Sequence, residues 1–225
     1  MTLKGGAPSS SRHIDFLLIG GGLASATAAE TLRAEGTSGS ILIASAEDVP
    51  PYHRPPLSKR GLVGSEEGLL SFIHPEGFYQ EHNVELRLNT RVLAVDTVHQ
   101  TVTLAADEKI GYGQLLIATG AKARSLSVPG MSLGGVHTLR NKTDASAIKR
   151  EADHAKRAVV LGGSFLGIEI AFSLLGLGLA VTIVEQRPSL LSHLEAPELS
   201  SHFQHYAETR GISVLLNETA TSIRG

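Results

Sequence analysis

Two stretches of the chain repeat one pattern of apolar and small residues. In the first, the apolar run 16–19 leads into the turn GGGLAS at 20–25 and an Ala-rich stretch that ends near Gly36. In the second, the apolar run 158–161 leads into GGSFLG at 162–167 and an apolar stretch to about Leu177. Each pattern predicts a strand, a tight turn and a helix in that order.

Both stretches then continue into another apolar run, at 41–43 in the first and at 181–184 in the second. A strand, a helix and a second strand in succession form a βαβ unit. Uninterrupted apolar strands are typical of a parallel sheet that is covered on both faces. The pattern therefore predicts two βαβ units with parallel strands.

The region between these units has a different pattern. Short alternating runs at 84–88, 91–95 and 101–104 predict an antiparallel meander. The apolar run that begins at Leu115 predicts a further buried strand, which ends in the small-residue turn 118–120. Beyond the second βαβ unit, we expect a helix from about Ala196 to Thr209 and a strand from Ile212 to Leu216.

These elements predict an α/β protein with two Rossmann-like domains, each with a central parallel sheet, and an antiparallel meander. We expect a flexible tail over 1–12, a first domain over 13–126 and a second over 127–225, with a crossover near Val128-Pro129-Gly130. No counterpart of the run at 115–120 follows the second unit. We therefore expect a fold that is truncated at the C-terminus.

Composition narrows the function. The 225 residues include no cysteine, which excludes a disulfide framework, a cysteine-ligated zinc site and a redox-active disulfide. A net charge of −2 and 4% aromatic residues argue against a nucleic-acid partner. We predict no metal site, because the helix pair His202 and His205 lacks a third ligand. No run approaches the ~20 apolar residues of a membrane span, and no apolar targeting segment begins the chain, so we expect a cytoplasmic protein.

The two glycine-rich turns fit dinucleotide binding. That fingerprint needs Gly at the tight turn, Gly where the pyrophosphate approaches the backbone, and a small residue where helix meets strand. Gly20, Gly22 and Ser25 meet these needs in the first turn. One such turn alone is weak evidence, because a glycine-rich turn without a ligand has the same pattern. Two turns in the same strand–turn–helix context favour nucleotide binding, with the anion at each helix N-terminus.

An acidic residue follows each turn near the spacing of ~20 residues expected for binding ribose hydroxyls. These residues are Glu47 and Glu185, and either could instead be an ordinary solvated carboxylate. Glu185 would repel a 2′-phosphate, which favours NAD over NADP, although Arg187 nearby weakens that preference. Ser164 occupies the middle glycine position of the second turn, where pyrophosphate would approach less freely.

Several segments together resemble a known family. They are RPPLSK at 54–59, the turn Ala118-Thr119-Gly120 and GGSFLGIE at 162–169. The chain resembles the FAD-dependent pyridine nucleotide-disulfide oxidoreductase superfamily, in the branch of apoptosis-inducing factor and the NADH-dependent ferredoxin reductases. The resemblance runs from about His13 to the end. It implies the first part of an FAD-binding domain over 13–126, an incomplete NAD-binding domain over 127–225, and an N-terminal fragment of a longer protein.

The resemblance also implies cofactor contacts. The residues implied to bind FAD are Gly20, Gly21, Gly22, Leu23, Ala24, Glu47, Arg54, Lys59, Val92, Ala118, Thr119, Gly120 and Arg140. The residues implied to bind the nicotinamide dinucleotide are Gly162, Gly163, Ser164, Phe165, Leu166, Gly167 and Glu185. Residues 20–24 would line the pyrophosphate of FAD and Glu47 would hold its adenosine ribose. Ala46 departs from the family, which often has a second acid there.

Three residues are implied to be catalytic: Lys59, Glu169 and Phe165. Lys59 would stabilise the electron-rich reduced flavin, and Glu169, expected in the first turn of the second helix, would keep Lys59 charged. An ordinary surface ion pair worth ~0–1 kcal/mol is the alternative. Phe165 resembles an aromatic gate that covers the flavin until nicotinamide displaces it.

The resemblance implies an NADH-dependent flavoprotein reductase, with NADPH a poorer donor. Because cysteine is absent, we expect electrons to pass from NADH through flavin directly to an external acceptor, a ferredoxin or Rieske-type iron–sulfur protein. Two alternatives stay open: a nucleotide-responsive binding module like apoptosis-inducing factor, or an inactive truncated fragment. In the family, chain beyond the NAD domain completes the FAD domain, so we expect these 225 residues alone to bind FAD poorly.

Overall fold

The structure of the protein, a computed structural model, describes residues 12–64 and 68–224. The predicted tail over 1–12 lies outside the described residues except for Arg12. That residue is the first of an eight-residue strand, so it does not belong to a tail.

The described part of the chain contains nine strands and six helices. Four of the helices have eleven residues or more. In chain order they are β1 (Arg12–Ile19), α1 (Leu23–Ala34), β2 (Ile41–Ala44), α2 (Arg60–Val63), α3 (Phe78–Glu81), β3 (Val84–Arg87), β4 (Ala94–Asp96), β5 (Thr101–Thr103), β6 (Lys109–Ile117), α4 (Lys142–Ala152), β7 (Arg157–Leu161), α5 (Phe165–Gly176), β8 (Ala180–Glu185), α6 (Pro197–Thr209) and β9 (Ser213–Leu216). Short 3₁₀ turns lie at Pro55–Ser58, Ala105–Asp107 and Ser192–Leu194.

The chain divides into two compact units. The first contains Met1–His53 and Phe72–Ala121, and the second contains Arg54–Ser71 and Lys122–Gly225. Segment 54–71, which the sequence pattern placed in the first domain, therefore packs within the second unit. It does so because Ser58 hydrogen-bonds to α5, and the Lys149 ammonium of α4 donates to the Gly64 carbonyl. The assignment of FAD binding to 13–126 and NAD binding to 127–225 stays a prediction.

The first unit contains a six-stranded sheet in the order β3-β2-β1-β6-β5-β4. Strand β1 lies parallel to β2, with Phe16 opposite Ile41, and parallel to β6 on its other side. This arrangement confirms the first predicted βαβ unit. The run 16–19 is continuously apolar because both faces of β1 are covered: Leu17 packs in one core cluster and Leu18 in another.

Two expectations for the region between the βαβ units are wrong. Strand β3 does not join the meander; it pairs in parallel with β2, with Val84 opposite Ile41. The meander consists of β4, β5 and β6. The strand predicted from Leu115 begins at Lys109, and its last residue, Ile117, is 60% exposed. The long strand β6 joins the meander to the parallel strands, because it pairs antiparallel with β5 and parallel with β1.

Arg33 explains the position of β3. Its guanidinium donates to the carbonyl oxygens of His82 and Asn83, directly before β3, at 2.8 Å each. It also donates to the carbonyl oxygens of Thr37 and Gly39, in the turn before β2, at 2.7 and 2.8 Å. One side chain at the end of α1 thus fixes the entry to two neighbouring parallel strands. The planar fork of donors suits several acceptors at once.

Replacing Arg33 by Ala should lower the free energy of unfolding by about 3 kcal/mol, because four carbonyl groups lose a charged donor. Arg33→Lys should recover less than half of that loss, since an ammonium cannot reach four acceptors in two turns. Urea denaturation measures both. The matched control is Arg91→Ala, which removes an exposed arginine. A loss below about 1 kcal/mol for Arg33→Ala would show that water satisfies these carbonyls equally well.

The second unit contains a three-stranded parallel sheet in the order β7-β8-β9. Helix α5 connects β7 to β8, with Val160 opposite Ile183, and α6 connects β8 to β9. The second predicted βαβ unit, the helix near 196–209 and the strand near 212–216 are confirmed. In both described segments, 12–64 and 68–224, every helix falls short of the length and apolar character that crossing a membrane requires.

Candidate cofactor-binding site

The first glycine-rich turn brings the ends of β1 and β6 into contact. Gly20 has a φ of +121°, and a Cβ added to it would overlap the carbonyl oxygen of Ala118. The Ala118 N–H donates to the Ile19 carbonyl at 2.8 Å. Gly20 and Ala118, both predicted site residues, therefore lie together, and only glycine fits at position 20. Thr119 and Gly120, which continue that turn, are exposed.

The turn leaves the N-terminus of α1 available to an anion. Gly22 is the N-cap residue, and a Cβ added to it would meet no atom within 4 Å. Among the described residues, no side chain caps this helix. The first backbone N–H groups of a helix need acceptors, and the helix dipole favours a negative one. The open space and the donors fit the pyrophosphate of a dinucleotide.

Ser45, which the sequence analysis missed, supports this turn. It directly follows β2 and is fully buried, and a Cβ added to Gly21 would overlap its hydroxyl. Its Oγ accepts from the Glu47 N–H at 3.1 Å. Ser45 thus explains why position 21 is glycine, and it holds the backbone of the predicted ribose-binding acid. Its place directly after an apolar strand is the signal that could have identified it.

Glu47 is not an ordinary solvated carboxylate. The Tyr52 hydroxyl donates to Glu47 Oε2 at 2.6 Å, and Tyr52 is 2% exposed. A buried tyrosine that bonds a carboxylate fixes the direction of that carboxylate. Tyr52 lies two residues before segment 54–59, which carried part of the family resemblance, and the sequence pattern did not reveal its role. The contact of Glu47 with ribose stays a prediction.

The second turn has the same backbone design with different side chains. Gly162 has a φ of +110°, and a Cβ added to Gly167 would overlap the Gly162 carbonyl oxygen. Gly167 therefore allows α5 to pack closely on the end of β7, which is the role of the small third residue. Ser164 is the N-cap of α5, and its Oγ accepts from the Gly167 N–H at 3.5 Å. Unlike α1, this helix has a side-chain cap.

Glu185 closes β8 and bonds to the second turn. Its Oε2 accepts from the Gly163 N–H at 2.6 Å, and its Oε1 accepts from the Arg187 N–H at 2.8 Å. The carboxylate is thus positioned by backbone donors on both sides. Arg187 contributes its backbone N–H to this arrangement. A fixed negative charge beside a nucleotide turn is suited to ribose hydroxyls and unsuited to a phosphate.

The predicted pair of Lys59 and Glu169 is formed within the second unit. Lys59 Nζ lies 2.8 Å from Glu169 Oε1, and the Ser58 hydroxyl donates to Glu169 Oε2 at 2.5 Å. Burial alone would raise the pKa of Glu169, but the hydrogen bonds from Lys59 and Ser58 and the lysine charge lower that pKa below its ordinary value. Both partners stay partly exposed, with 50% of the Lys59 side chain and 30% of the Glu169 side chain accessible.

The expected position of Glu169 within its helix is wrong by one turn. Helix α5 begins at Phe165, and its first turn contains no acidic residue. Glu169 therefore lies in the second turn. The shift arises because residues 162–164 form the bend and the N-cap, so the helix starts after them. The contact with Lys59 is confirmed, and the catalytic role of either residue stays a prediction.

Apolar side chains are exposed at the start of both long helices. Leu23 begins α1, and Phe165 and Leu166 begin α5; all three are largely accessible. The Phe165 ring meets the His193 ring edge-on, with centroids 5.8 Å apart. Large apolar side chains beside an anion-binding turn can cover the flat parts of a nucleotide. The gate role of Phe165 stays a prediction.

Two of the remaining predicted FAD residues, Arg54 and Arg140, are joined by a hydrogen bond. Arg54 donates from Nη1 to the Arg140 carbonyl at 2.9 Å, which brings these two predicted FAD residues together within the second unit. Val92 is partly buried against the core cluster that contains Leu17. The structure thus joins Arg54 to Arg140, while the cofactor contacts of all three stay predictions.

Comparison with known proteins gives a family match over most of the chain. Residues 14–225 match the family described as pyridine nucleotide-disulphide oxidoreductase. The chain is 35% identical over 210 residues to rubredoxin-NAD(+) reductase from Pseudomonas putida, covering 93% of this chain and 54% of that protein. It is 33% identical over 213 residues to a ferredoxin–NAD(P)(+) reductase from Sphingomonas, covering 95% of this chain and 51% of that protein.

A solved structure has the same fold. The ferredoxin reductase for the CYP199A2 system from Rhodopseudomonas palustris matches with a TM-score of 0.89 at 34% identity, over 94% of this chain and 52% of that one. A structure of the covalent putidaredoxin reductase–putidaredoxin complex matches with a TM-score of 0.86 at 28% identity, over 94% of this chain and 51% of that one. The predicted Rossmann-like α/β fold class is confirmed. The chain spans about half the length of the curated relatives it matches.

Proposed function

Because the chain belongs to the pyridine nucleotide-disulphide oxidoreductase family, whose members use FAD and NAD(H), we propose that it carries the nucleotide-binding part of an NADH-dependent flavoprotein reductase. This enzyme passes electrons from NADH through FAD to a small iron–sulfur protein, and it works in the cytoplasm. The observation that carries the proposal is the ion pair of Lys59 and Glu169, in which Ser58 also hydrogen-bonds to the Glu169 carboxylate. An exposed ion pair adds little stability, so a geometry held by an additional hydrogen bond favours a chemical role.

Residues of the first unit are suited to FAD. The backbone N–H groups that follow Gly22 would hold its pyrophosphate, and Glu47, fixed by Tyr52, would bind its adenosine ribose. When bound, FAD supplies an isoalloxazine ring that accepts a hydride and releases electrons singly. Nothing in the chain needs to supply a thiol for this chemistry, and the sequence contains no cysteine.

Residues of the second unit are suited to NADH and to charge stabilisation. Gly163, Ser164 and Leu166 would line the dinucleotide, and Glu185 would accept from its ribose hydroxyls. Lys59 has three N–H donors, of which two reach Glu169 Oε1 at 2.8 Å and the Pro55 carbonyl at 3.2 Å. The third is available for an acceptor that becomes electron-rich during reduction, and a fixed cation there lowers the barrier.

The relatives favour an iron–sulfur acceptor. Their names describe reductases of rubredoxin and ferredoxin, and one matching structure is a complex of a reductase with putidaredoxin. We therefore infer that a ferredoxin, rubredoxin or Rieske-type protein takes the electrons. The fixed carboxylate of Glu185 supports NADH over NADPH as the donor.

Anaerobic mixing of NADH with the FAD-loaded full-length reductase, of which this chain is the nucleotide-binding part, tests this function. We expect rapid bleaching of the flavin absorption, slower bleaching with NADPH, and fast transfer to an added ferredoxin or rubredoxin. Stopped-flow absorbance follows the first two steps, and the visible band of the iron–sulfur protein follows the third. A slow, long-lived charge-transfer complex with a change of oligomeric state would contradict the proposal and favour a nucleotide-responsive binding module.

A further inference from the structure

Ser58 uses its side chain and its backbone to bind one face of helix α5. Its hydroxyl donates to Glu169 Oε2 at 2.5 Å, and its carbonyl accepts from the Ser173 hydroxyl at 2.6 Å. Glu169 and Ser173 are four residues apart, so they lie next to each other on the helix surface. Ser58 is 2% exposed and Ser173 is also buried. We call these three residues, Ser58, Glu169 and Ser173, the serine clamp.

The Ser58 proton has two acceptors within reach. Its Oγ lies 3.3 Å from the Pro55 carbonyl and 2.5 Å from the Glu169 carboxylate. A hydroxyl has one proton to donate, and the shorter bond to a charged acceptor is the stronger one. Ser58 therefore donates to Glu169.

The clamp limits how Glu169 can move. Its Oε2 is held by Ser58 while its Oε1 pairs with Lys59, so a rotation that turns Oε1 away from the lysine breaks the Ser58 bond. Lys59 directly follows Ser58 in the chain, so the bond between Ser173 and the Ser58 carbonyl also fixes the start of Lys59. A partly exposed ion pair without such supports would sample many geometries.

We propose that Ser58, held in place by Ser173, is a positioning residue that keeps the Glu169 carboxylate aimed at Lys59. The inference rests on the proposed function, in which Lys59 supports hydride transfer from NADH. Ser58 itself contacts neither nucleotide in this proposal, and it acts through Glu169. Lys59 is the charged group that faces Glu169, and Ser58 is its neutral donor.

Ser58→Ala tests the clamp with two measurements. The pKa of Glu169 should rise, because the bond from Ser58 helps to lower it, and carbon NMR of the labelled side-chain carboxyl measures the titration. Flavin reduction by NADH should slow by about tenfold, the effect of one lost hydrogen bond to a charged group. Ser200→Ala is the matched control, since it removes a hydroxyl that is equally buried in helix α6. It should change neither quantity.

A double substitution separates positioning from general destabilisation. If Ser58 acts through Glu169, Ser58→Ala should slow flavin reduction hardly at all in a Glu169→Gln protein, because the two effects are not additive. Ser58→Thr, which keeps the hydroxyl, should recover the Glu169 titration and most of the rate. A slower rate with an unchanged Glu169 titration, or full additivity, would overturn the proposal.

The same measurements distinguish a failure of the clamp from a failure of the proposed function. If the unsubstituted FAD-loaded protein transfers no hydride from NADH, the reductase function is wrong. The Glu169 titration in Ser58→Ala still decides whether Ser58 sets the ionisation of that carboxylate. An unchanged titration there overturns the clamp, whatever the enzyme assay shows.

Discussion

Lys59→Met should slow flavin reduction by NADH at least about a hundredfold while the protein keeps its FAD. Methionine has a similar length and removes the ammonium, so the negative charge that develops during reduction loses its fixed partner. The loss of one well-placed electrostatic donor costs about 10²–10³ in rate. Anaerobic stopped-flow measurement of flavin absorbance gives the rate, and the visible spectrum before mixing gives the FAD content.

Two further variants make the Lys59 result specific. Lys156→Met removes an exposed lysine of the same unit and should leave the rate within about twofold. Lys59→Arg keeps a positive charge and a hydrogen-bond donor, so it should recover part of the rate. The recovery should be incomplete, because the planar guanidinium cannot reproduce the geometry of the ammonium at Glu169. An unchanged rate for Lys59→Met would remove Lys59 from the reaction and reduce its bond to Glu169 to a surface ion pair.

The two glycines at the start of the first turn should respond to alanine in opposite ways. Gly20→Ala forces a Cβ onto the Ala118 carbonyl at a φ of +121°, so the free energy of unfolding should fall by about 3 kcal/mol or more. Gly22→Ala places its Cβ in open space and should change that free energy by less than about 1 kcal/mol. Its methyl group enters the space expected for pyrophosphate, so the Kd for FAD should rise at least about tenfold.

Urea unfolding and a fluorescence titration with FAD separate the two effects. Gly36→Ala, at the end of α1, is a control for glycine substitution at positive φ without a close neighbour: its φ is +82° and no atom lies within 4 Å of an added Cβ. It should destabilise less than Gly20→Ala and leave the affinity for FAD unchanged. Normal FAD binding by Gly22→Ala would place the pyrophosphate elsewhere.

The sequence pattern predicted both βαβ units because each depends on residues close together in the chain. Apolar strands, glycine turns and amphipathic helices within about 30 residues determine them. It misplaced β3 because the partner of an edge strand is chosen by distant residues. The four hydrogen bonds of Arg33 and the pairing of Val84 with Ile41 bring β3 beside β2, and no alternation within 84–88 encodes that choice.

The candidate site was predicted where charge or glycine marked it. The pair of Lys59 and Glu169 was recognisable, and the bends at Gly20 and Gly162 were placed correctly. The residues that orient the charged groups were missed: Ser45, Tyr52, Ser58 and Ser173. Hydroxyl side chains are common in loops and helices, and their function depends on a partner that only the folded chain supplies.

The two glycine turns differ in what happens when their ligand departs. Within the described residues, α1 has no side chain to satisfy its first N–H groups, whereas α5 bonds one of its own through Ser164. Without a bound anion, only water can accept hydrogen bonds from the first backbone N–H groups of α1. The second turn keeps the bond between Ser164 and the Gly167 N–H whether or not an anion is present. In the proposed reductase, the first turn therefore suits a cofactor that stays bound, and the second suits a nucleotide that leaves after each reaction.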